Sequence, residues 1–327
     1  MEVPQGGPRR TGPGAGPRRS RPGPLGPGPA AERYGRHRRE PLRLAATGAG
    51  RILRKSPLNG GIDLAGVVVS SEDPEFQPGT AVLVNGCGLS ETADGGYAEY
   101  ARVASNSVVP IPDGMSPVEA MQIGTAGYTA ALAIHRMEQN GQRPENGPVV
   151  VTGATGGVGS IAIDMLERRG YEAVAVTGKS DQEDYLRGIG ARRIVLRDGI
   201  DFGKRPMERA EWAGAIDNLG GDYLAWLTRT TDYGGNIASI GLASGIKLET
   251  TVMPFILRAV CLLGINSVDT PRDLRLAVWS RIAGDLRPQH LDEIGGRTIG
   301  FDELPDSFQA YLDGEITGRI VVRISDD

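Results

Sequence analysis

Four glycines spaced G-x-x-G-G-x-G, Gly153, Gly156, Gly157 and Gly159, stand between the run Val149-Val150-Val151 and an apolar periodic stretch. The spacing suits a phosphate cradle. Gly153 allows a sharp turn, Gly156 and Gly157 let backbone approach a pyrophosphate with no Cβ in the way, and Gly159 lets the following helix lie close on the strand. The first free N–H groups of that helix, with its dipole, then face the phosphates. Further on the chain reads Thr177-Gly178-Lys179-Ser180. NAD-preferring folds end their second strand in Asp or Glu, which accepts from the ribose hydroxyls. A cation with hydroxyls in that place predicts a charge-assisted contact with a 2′-phosphate, hence NADP(H). Arg197, after the third strand, is placed to join from the neighbouring loop. The chemistry this supports is hydride transfer, with the reactive ring supplied by the cofactor.

Other chemistries find no motif. Cys87, Cys261, His37, His135 and His290 show no metal-ligand spacing, so no metal is expected. There is no G-x-S-x-G nucleophile turn and no P-loop.

The elements that must position the glycines follow from periodicity. Val158, Ile161, Ala162, Met165 and Leu166 recur at i, i+3, i+4, i+7 and i+8, which predicts a helix over 158–169 after a strand at 149–152. Strands at 172–177, 193–196, 214–217, 236–241 and 260–268 alternate with helices near 181–188, 206–212 and 222–230. Repeated βα units of this length predict an α/β fold with a doubly wound parallel sheet and its ligand at the carboxyl ends of the strands. Upstream, apolar stretches within 60–71, 76–84, 95–103 and 107–114 predict short strands of a small β-barrel. Residues 116–140 read as helical, with Ser116 as N-cap, Pro117 at the first position and Glu119 closing a capping box; Gly124-Thr125-Ala126-Gly127 interrupts the run. A helix at 272–284, a strand near 297–300, a helix near 304–313 and a strand at 318–324 are expected to return to the first domain.

Composition bounds the partners. The chain has 327 residues, 36 basic and 40 acidic. Residues 1–43 hold ten Arg, three Glu, nine Gly and nine Pro, so the remainder carries a net charge of −11. An acidic body argues against nucleic acid or an anionic membrane as partner. Two cysteines give no disulfide framework, and no apolar run approaches the ~18 residues of a membrane helix, so a cytoplasmic location is expected. The 1–43 segment lacks the apolar content to fold and is expected to be disordered.

GIDLAGVV, GGYAEYARV, IGTAGYTAAL, VVVTGATGGVGSIA, WAGAIDNLGG, YGGNIASIGLASG and TTVMPFILRAVCLLGINSV resemble the zinc-free medium-chain dehydrogenase/reductases, and within them the acrylyl-CoA reductase branch, also catalogued as quinone oxidoreductases. The resemblance spans about Leu44 to Ile324. It implies a Rossmann domain over 116–265 and a GroES-like β-barrel catalytic domain over 44–115 and 266–327. It implies NADPH as cofactor, an enoyl-CoA or quinone as substrate, and a homodimer. The implied contacts are Thr155, Gly156, Gly157 and Val158 at the pyrophosphate, Thr177, Gly178 and Lys179 at the 2′-phosphate, and then Arg197, Leu242 and Ser267. The implied reaction adds hydride to the β-carbon of an enoyl thioester, with the enolate held by hydrogen-bond donors. No residue is assigned as proton donor. Thr125 is a candidate pocket hydroxyl and Arg258 a candidate partner of a CoA phosphate. The chain departs from the family upstream of Leu44, where Glu40 stands in place of a family Tyr and the barrel strands give way to Gly, Pro and Arg. That makes the expected barrel N-terminally incomplete, and a shifted reading frame in a GC-rich gene is one explanation.

Overall fold

A computed structural model describes residues 54–325. The expectations for residues 1–43, Glu40 included, lie outside the described residues. Six parallel strands carry the fold: β4 (Val149–Thr152), β5 (Ala173–Thr177), β6 (Arg193–Leu196), β7 (Trp212–Asp217), β8 (Thr231–Ser239) and β9 (Cys261–Gly264). Before them lie β1 (Asp63–Val67), β2 (Ala81–Asn85), β3 (Val109–Pro110) and helix α1 (Pro117–Gln139). The six line up as β6-β5-β4-β7-β8-β9, so the chain runs outward from β4, returns, and continues on the other side from β7. The order reverses between β4 and β7, and a doubly wound sheet binds its ligand at that crevice.

Central strands buried on both faces need continuous apolar runs. Val149, Val150, Val151, Val174, Ala175, Ala215, Ile216, Ile237 and Ala238 are all fully buried. Helix α2 (Gly157–Arg168) follows β4 and buries Ile161, Ala162, Met165 and Leu166 of its predicted apolar face, while Val158, in the first turn, is only partly buried. Burying the larger of these, Ile161, Met165 and Leu166, contributes about 1.5–3 kcal/mol each. Its opposite side is covered too, and buries Asp164. That carboxylate is satisfied by the backbone N–H groups of Gln289 and His290 and by His290 Nδ1, at 2.9–3.1 Å. The shorter helices α3 (Glu183–Gly188) and α4 (Gly221–Thr230) complete the alternation.

Strands β1, β2 and β3 form an antiparallel sheet in that order, registered by Asp63 opposite Asn85. Helix α5 (Met253–Leu257) precedes β9, and α6 (Arg272–Ala283) and α7 (Leu291–Gly295) follow it. The parallel pair β10 (Arg297–Gly300) and β11 (Ile320–Arg323) flanks helix α8 (Leu304–Leu312).

Two expected elements do not form. Residues 95–103 make no strand, because Gly95, Gly96 and Tyr97 donate their N–H groups to the carbonyls of Asn59, Gly61 and Gly60. Residues 206–211 make no helix. There the Glu208 carboxylate takes the N–H groups of Lys204 and Arg205, and Glu208 and Glu211 donate theirs to Arg229 and Thr230 carbonyls. The capping box at Ser116 and Glu119 forms as read, and the interruption falls at Gly124, whose φ is 50° and ψ −158° inside α1.

Candidate functional site

The glycine turn closes on itself before opening the helix. Gly153 has φ +61°, and the Gly156 N–H donates to its carbonyl at 3.0 Å. Gly156 is the N-cap of α2 and brings no side chain to cap it. The first turn of a helix has N–H groups without intrahelical acceptors, so this end is left for an anion. Gly159 has no room for a Cβ, which would stand 2.4 Å from the Gly153 carbonyl oxygen and 2.8 Å from Ala154 Cα. Its role in holding helix against strand is therefore met by contact distances.

The crevice beside this turn is tied shut at its floor. Thr152 Oγ1 donates to Asp217 Oδ1 at 2.7 Å and accepts from the Asn218 N–H at 2.9 Å, while Asn218 Nδ2 donates to the Thr152 carbonyl at 2.7 Å. Burial pushes the Asp217 carboxyl above the usual range, and bonds from Thr152, Leu219 and Gly220 oppose the shift. These bonds fix the ends of β4 and β7, where the sheet order reverses.

At the end of β5, Thr177 is buried and its hydroxyl accepts from the Lys179 N–H at 3.0 Å. The Arg197 guanidinium lies over Gly178, with Cζ 3.3 Å from where a Cβ would be, and pairs loosely with Asp198 at 3.3 Å. Thus Arg197, from the loop after the next strand, joins the consecutive Thr177, Gly178 and Lys179 in one cluster. Burial pulls the Lys179 ammonium below its ordinary value, while Asp181 and Glu315 pull it back up. Its Nζ donates to the Ile316 carbonyl at 3.0 Å and reaches the Thr317 hydroxyl at 3.4 Å.

Arg319, which carries no motif, ties the glycine turn to α1 and β1. Its side chain passes Gly157, where a Cβ would lie 2.8 Å from Arg319 Cδ, and it donates to the Gln122 and Met121 carbonyls at 3.2 Å. Its guanidinium pairs with Asp63 at 3.4 Å. Asp63 Oδ1 accepts from the Thr125 N–H at 2.7 Å and from the Thr125 hydroxyl at 2.6 Å. That N–H is free for capture because the helix breaks at Gly124, one residue earlier. Thr129 then donates to the Thr125 carbonyl at 2.6 Å and shares a 2.8 Å hydrogen bond with the Ser267 hydroxyl.

So Thr155, Gly156, Gly157 and Val158 sit at the turn, and Thr155 accepts the Gly318 N–H at 2.9 Å. Ser267 is buried and is linked to the turn through the Thr129–Thr125–Asp63–Arg319 chain of contacts. Leu242 is 65% exposed and lies beside Gly220 at the end of β7. Thr125 is a spoken-for hydroxyl rather than a free one. The Arg258 guanidinium is bonded within the protein, its donors going to the carbonyls of Arg229, Thr231 and Glu208 at 2.5–3.3 Å. Arg319, Asp63 and Thr317 were missed because their partners are remote, 256 residues apart for Arg319 and Asp63. The one local signal was the GTAG interruption.

A reversing parallel sheet with an uncapped glycine-opened helix beside β4 defines a dinucleotide-binding fold. Known proteins carry the assignment further. The profile of the "Alcohol dehydrogenase GroES-like domain" matches residues 41–113, and that of "Zinc-binding dehydrogenase" matches 157–283. Acrylyl-CoA reductase AcuI of Ruegeria pomeroyi is 44% identical over 277 residues, 84% of each chain. YhfP of Bacillus subtilis, which is named among the quinone oxidoreductases, is 46% identical over 282 residues, 86% of each chain. The crystal structure of the yhdH oxidoreductase from Salmonella enterica in complex with NADP superposes with a TM-score of 0.83 at 45% identity, covering 86% of each chain. That of Bacillus subtilis yhfP, with NAD bound, gives 0.82 at 47% identity and 84% of each chain. The chain belongs to the medium-chain dehydrogenase/reductases, in the branch that holds AcuI and YhfP. Despite the zinc in one profile's description, no three His, Cys, Asp or Glu side chains gather as a metal site among the described residues. Nor, among these, is any helix long and apolar enough to cross a membrane.

Proposed function

We propose that this chain binds NADPH in the groove and reduces the C=C bond of a small enoyl thioester, acrylyl-CoA to propionyl-CoA. The observation that carries the reading is the cluster ending β5, where Lys179 and Arg197 stand in place of an acidic residue. A site with that charge favours a 2′-phosphate over bare ribose hydroxyls. The acceptor is supported by the 44% identity to AcuI over 84% of both chains.

In this reading the Gly156 turn and the first N–H groups of α2 hold the diphosphate, with Thr155, Gly157 and Val158 around it. Lys179 and Arg197, framed by Thr177 and Gly178, hold the 2′-phosphate. Leu242 and Ser267 border the nicotinamide half. When bound, the reduced nicotinamide supplies a hydride. The Arg319–Asp63 pair orients Thr125 and so fixes the wall that separates the groove from the β1–β2–β3 sheet. The chain acts as a homodimer in the cytoplasm, where the free thiols of Cys87 and Cys261 stay reduced.

The test is NADPH oxidation followed by absorbance with acrylyl-CoA and, in parallel, with a simple quinone. Turnover of acrylyl-CoA well above the quinone supports the proposal. Faster quinone turnover favours the reading suggested by YhfP's name, and nucleotide binding without turnover on either would leave a binding protein.

A further inference from the structure

The segment Glu315–Arg319, between α8 and β11, is bonded to the groove at each residue from 316 to 319. Lys179 Nζ reaches the Ile316 carbonyl at 3.0 Å and the Thr317 hydroxyl at 3.4 Å. The Gly318 N–H donates to Thr155, at the glycine turn, at 2.9 Å. The Arg319 N–H donates to the Ile294 carbonyl at 2.6 Å, and its side chain packs at Gly157. The segment is therefore a strap along the groove, fastened at the 2′-phosphate end by a lysine 137 residues away in sequence.

The two partners of that lysine differ in what they can do. A carbonyl oxygen only accepts, so it cannot face a phosphate. A hydroxyl accepts from an ammonium and, after rotation, donates to an anion. Both partners are neutral, and a phosphate dianion competes for an ammonium far better than either. Thr317 is half-buried, with its hydroxyl already within 3.4 Å of the cation.

We propose that Thr317 is a specificity-determining residue for the 2′-phosphate. When the nucleotide arrives, Lys179 exchanges the Ile316 carbonyl for the phosphate, and the Thr317 hydroxyl turns to donate to that same phosphate. The inference rests on the NADPH reading above and adds to it a ligand from the far end of the chain.

The experiment is a fluorescence titration of the full chain with NADPH and with NADH, for the native sequence, Thr317→Val, Thr317→Ser, Lys179→Met and the double variant Lys179→Met with Thr317→Val. Thr317→Val keeps volume and removes the hydroxyl. It is expected to raise the Kd for NADPH about tenfold and to leave NADH within about twofold, since a hydrogen bond to a charged group is at stake. Thr317→Ser keeps native values. On the Lys179→Met background, Thr317→Val loses most of its effect, because the two groups share one phosphate. If the native chain prefers NADPH and Thr317→Val changes neither nucleotide, or weakens both alike, the hydroxyl merely fastens the strap and the inference is overturned. A native chain indifferent to the 2′-phosphate overturns the NADPH reading, and the inference with it.

Discussion

Lys179 shows how one side chain's surroundings set a measurable dependence. Burial holds its ammonium below the ordinary lysine value, with Asp181 and Glu315 partly offsetting the shift. The charged form is present below that depressed pKa and is lost as pH rises through it. Above about pH 7 a 2′-phosphate is already dianionic. The preference for NADPH over NADH should thus hold near neutrality and fade at a pH below the ~10.4 of a free lysine. NADH affinity should stay flat across the same window. Paired titrations over pH check this, and a ratio that does not move would remove Lys179 from the site. Arg319 is expected to serve both nucleotides alike, because it packs at the glycine turn and not at Lys179. Arg319→Met strands the Asp63 carboxylate, whose side chain is only 15% exposed, without its cation. A loss of about 1–3 kcal/mol in stability is expected, discounted for partial exposure. NADPH and NADH affinities should fall together. A selective loss of NADPH alone would show that Arg319 reads the 2′-phosphate instead.

For the elements, the β4–α2 turn separates two uses of glycine that the motif runs together. At Gly159 a Cβ would press to 2.4 Å on the Gly153 carbonyl oxygen, and backbone cannot yield as a side-chain tip does. Gly159→Ala should cost about 2–3 kcal/mol and lower the melting temperature by about 5–10 °C. At Gly156 the nearest atom to a Cβ is 3.3 Å away and φ is −78°, which alanine accepts. Gly156→Ala should melt within about 1 kcal/mol of the native chain and yet bind both nucleotides more weakly. A stable Gly159→Ala protein would mean that the helix does not need its close seat on the strand. These positions were legible in the sequence because turn, cap and helix face are local: the same few residues carry both signal and structure. The capping box at Ser116 and Glu119 was legible for the same reason. Residues 95–103 and 206–211 were not, since their alternating or helix-favouring composition is overruled by bonds to Asn59–Gly61 in one case and to Arg229 and Thr230 in the other. The Lys179–Thr317 and Asp63–Arg319 meetings were equally hidden. Nothing in a strand such as GRIVVRI announces which glycine or carboxylate it will lie against.

At the scale of the molecule, the sheet ends in an unfinished edge. Among the described residues strand β9 pairs with β8 alone, and an open edge strand is a template for another chain. The residues leading to it are apolar and open to solvent: Ile246 is 82% exposed, Val252 66%, Ile256 71% and Leu257 55%. On β9 itself Leu262 is 38% exposed. Exposed aliphatic side chains in the segment before an edge strand suit a self-complementary face. Two copies meeting there would continue the six strands into one sheet and cover α5. The prediction is that the full chain sediments at twice its own mass, and that Ile256→Glu with Leu262→Lys yields a monomer. Both positions are exposed, so the pair should change the fold's own stability little. The melting temperature of the native chain should then rise with protein concentration, and that of the double variant should not. A native chain that sediments as a monomer at micromolar concentration would leave β9 as a bare edge, and the aliphatic stretch beside it would need a different partner.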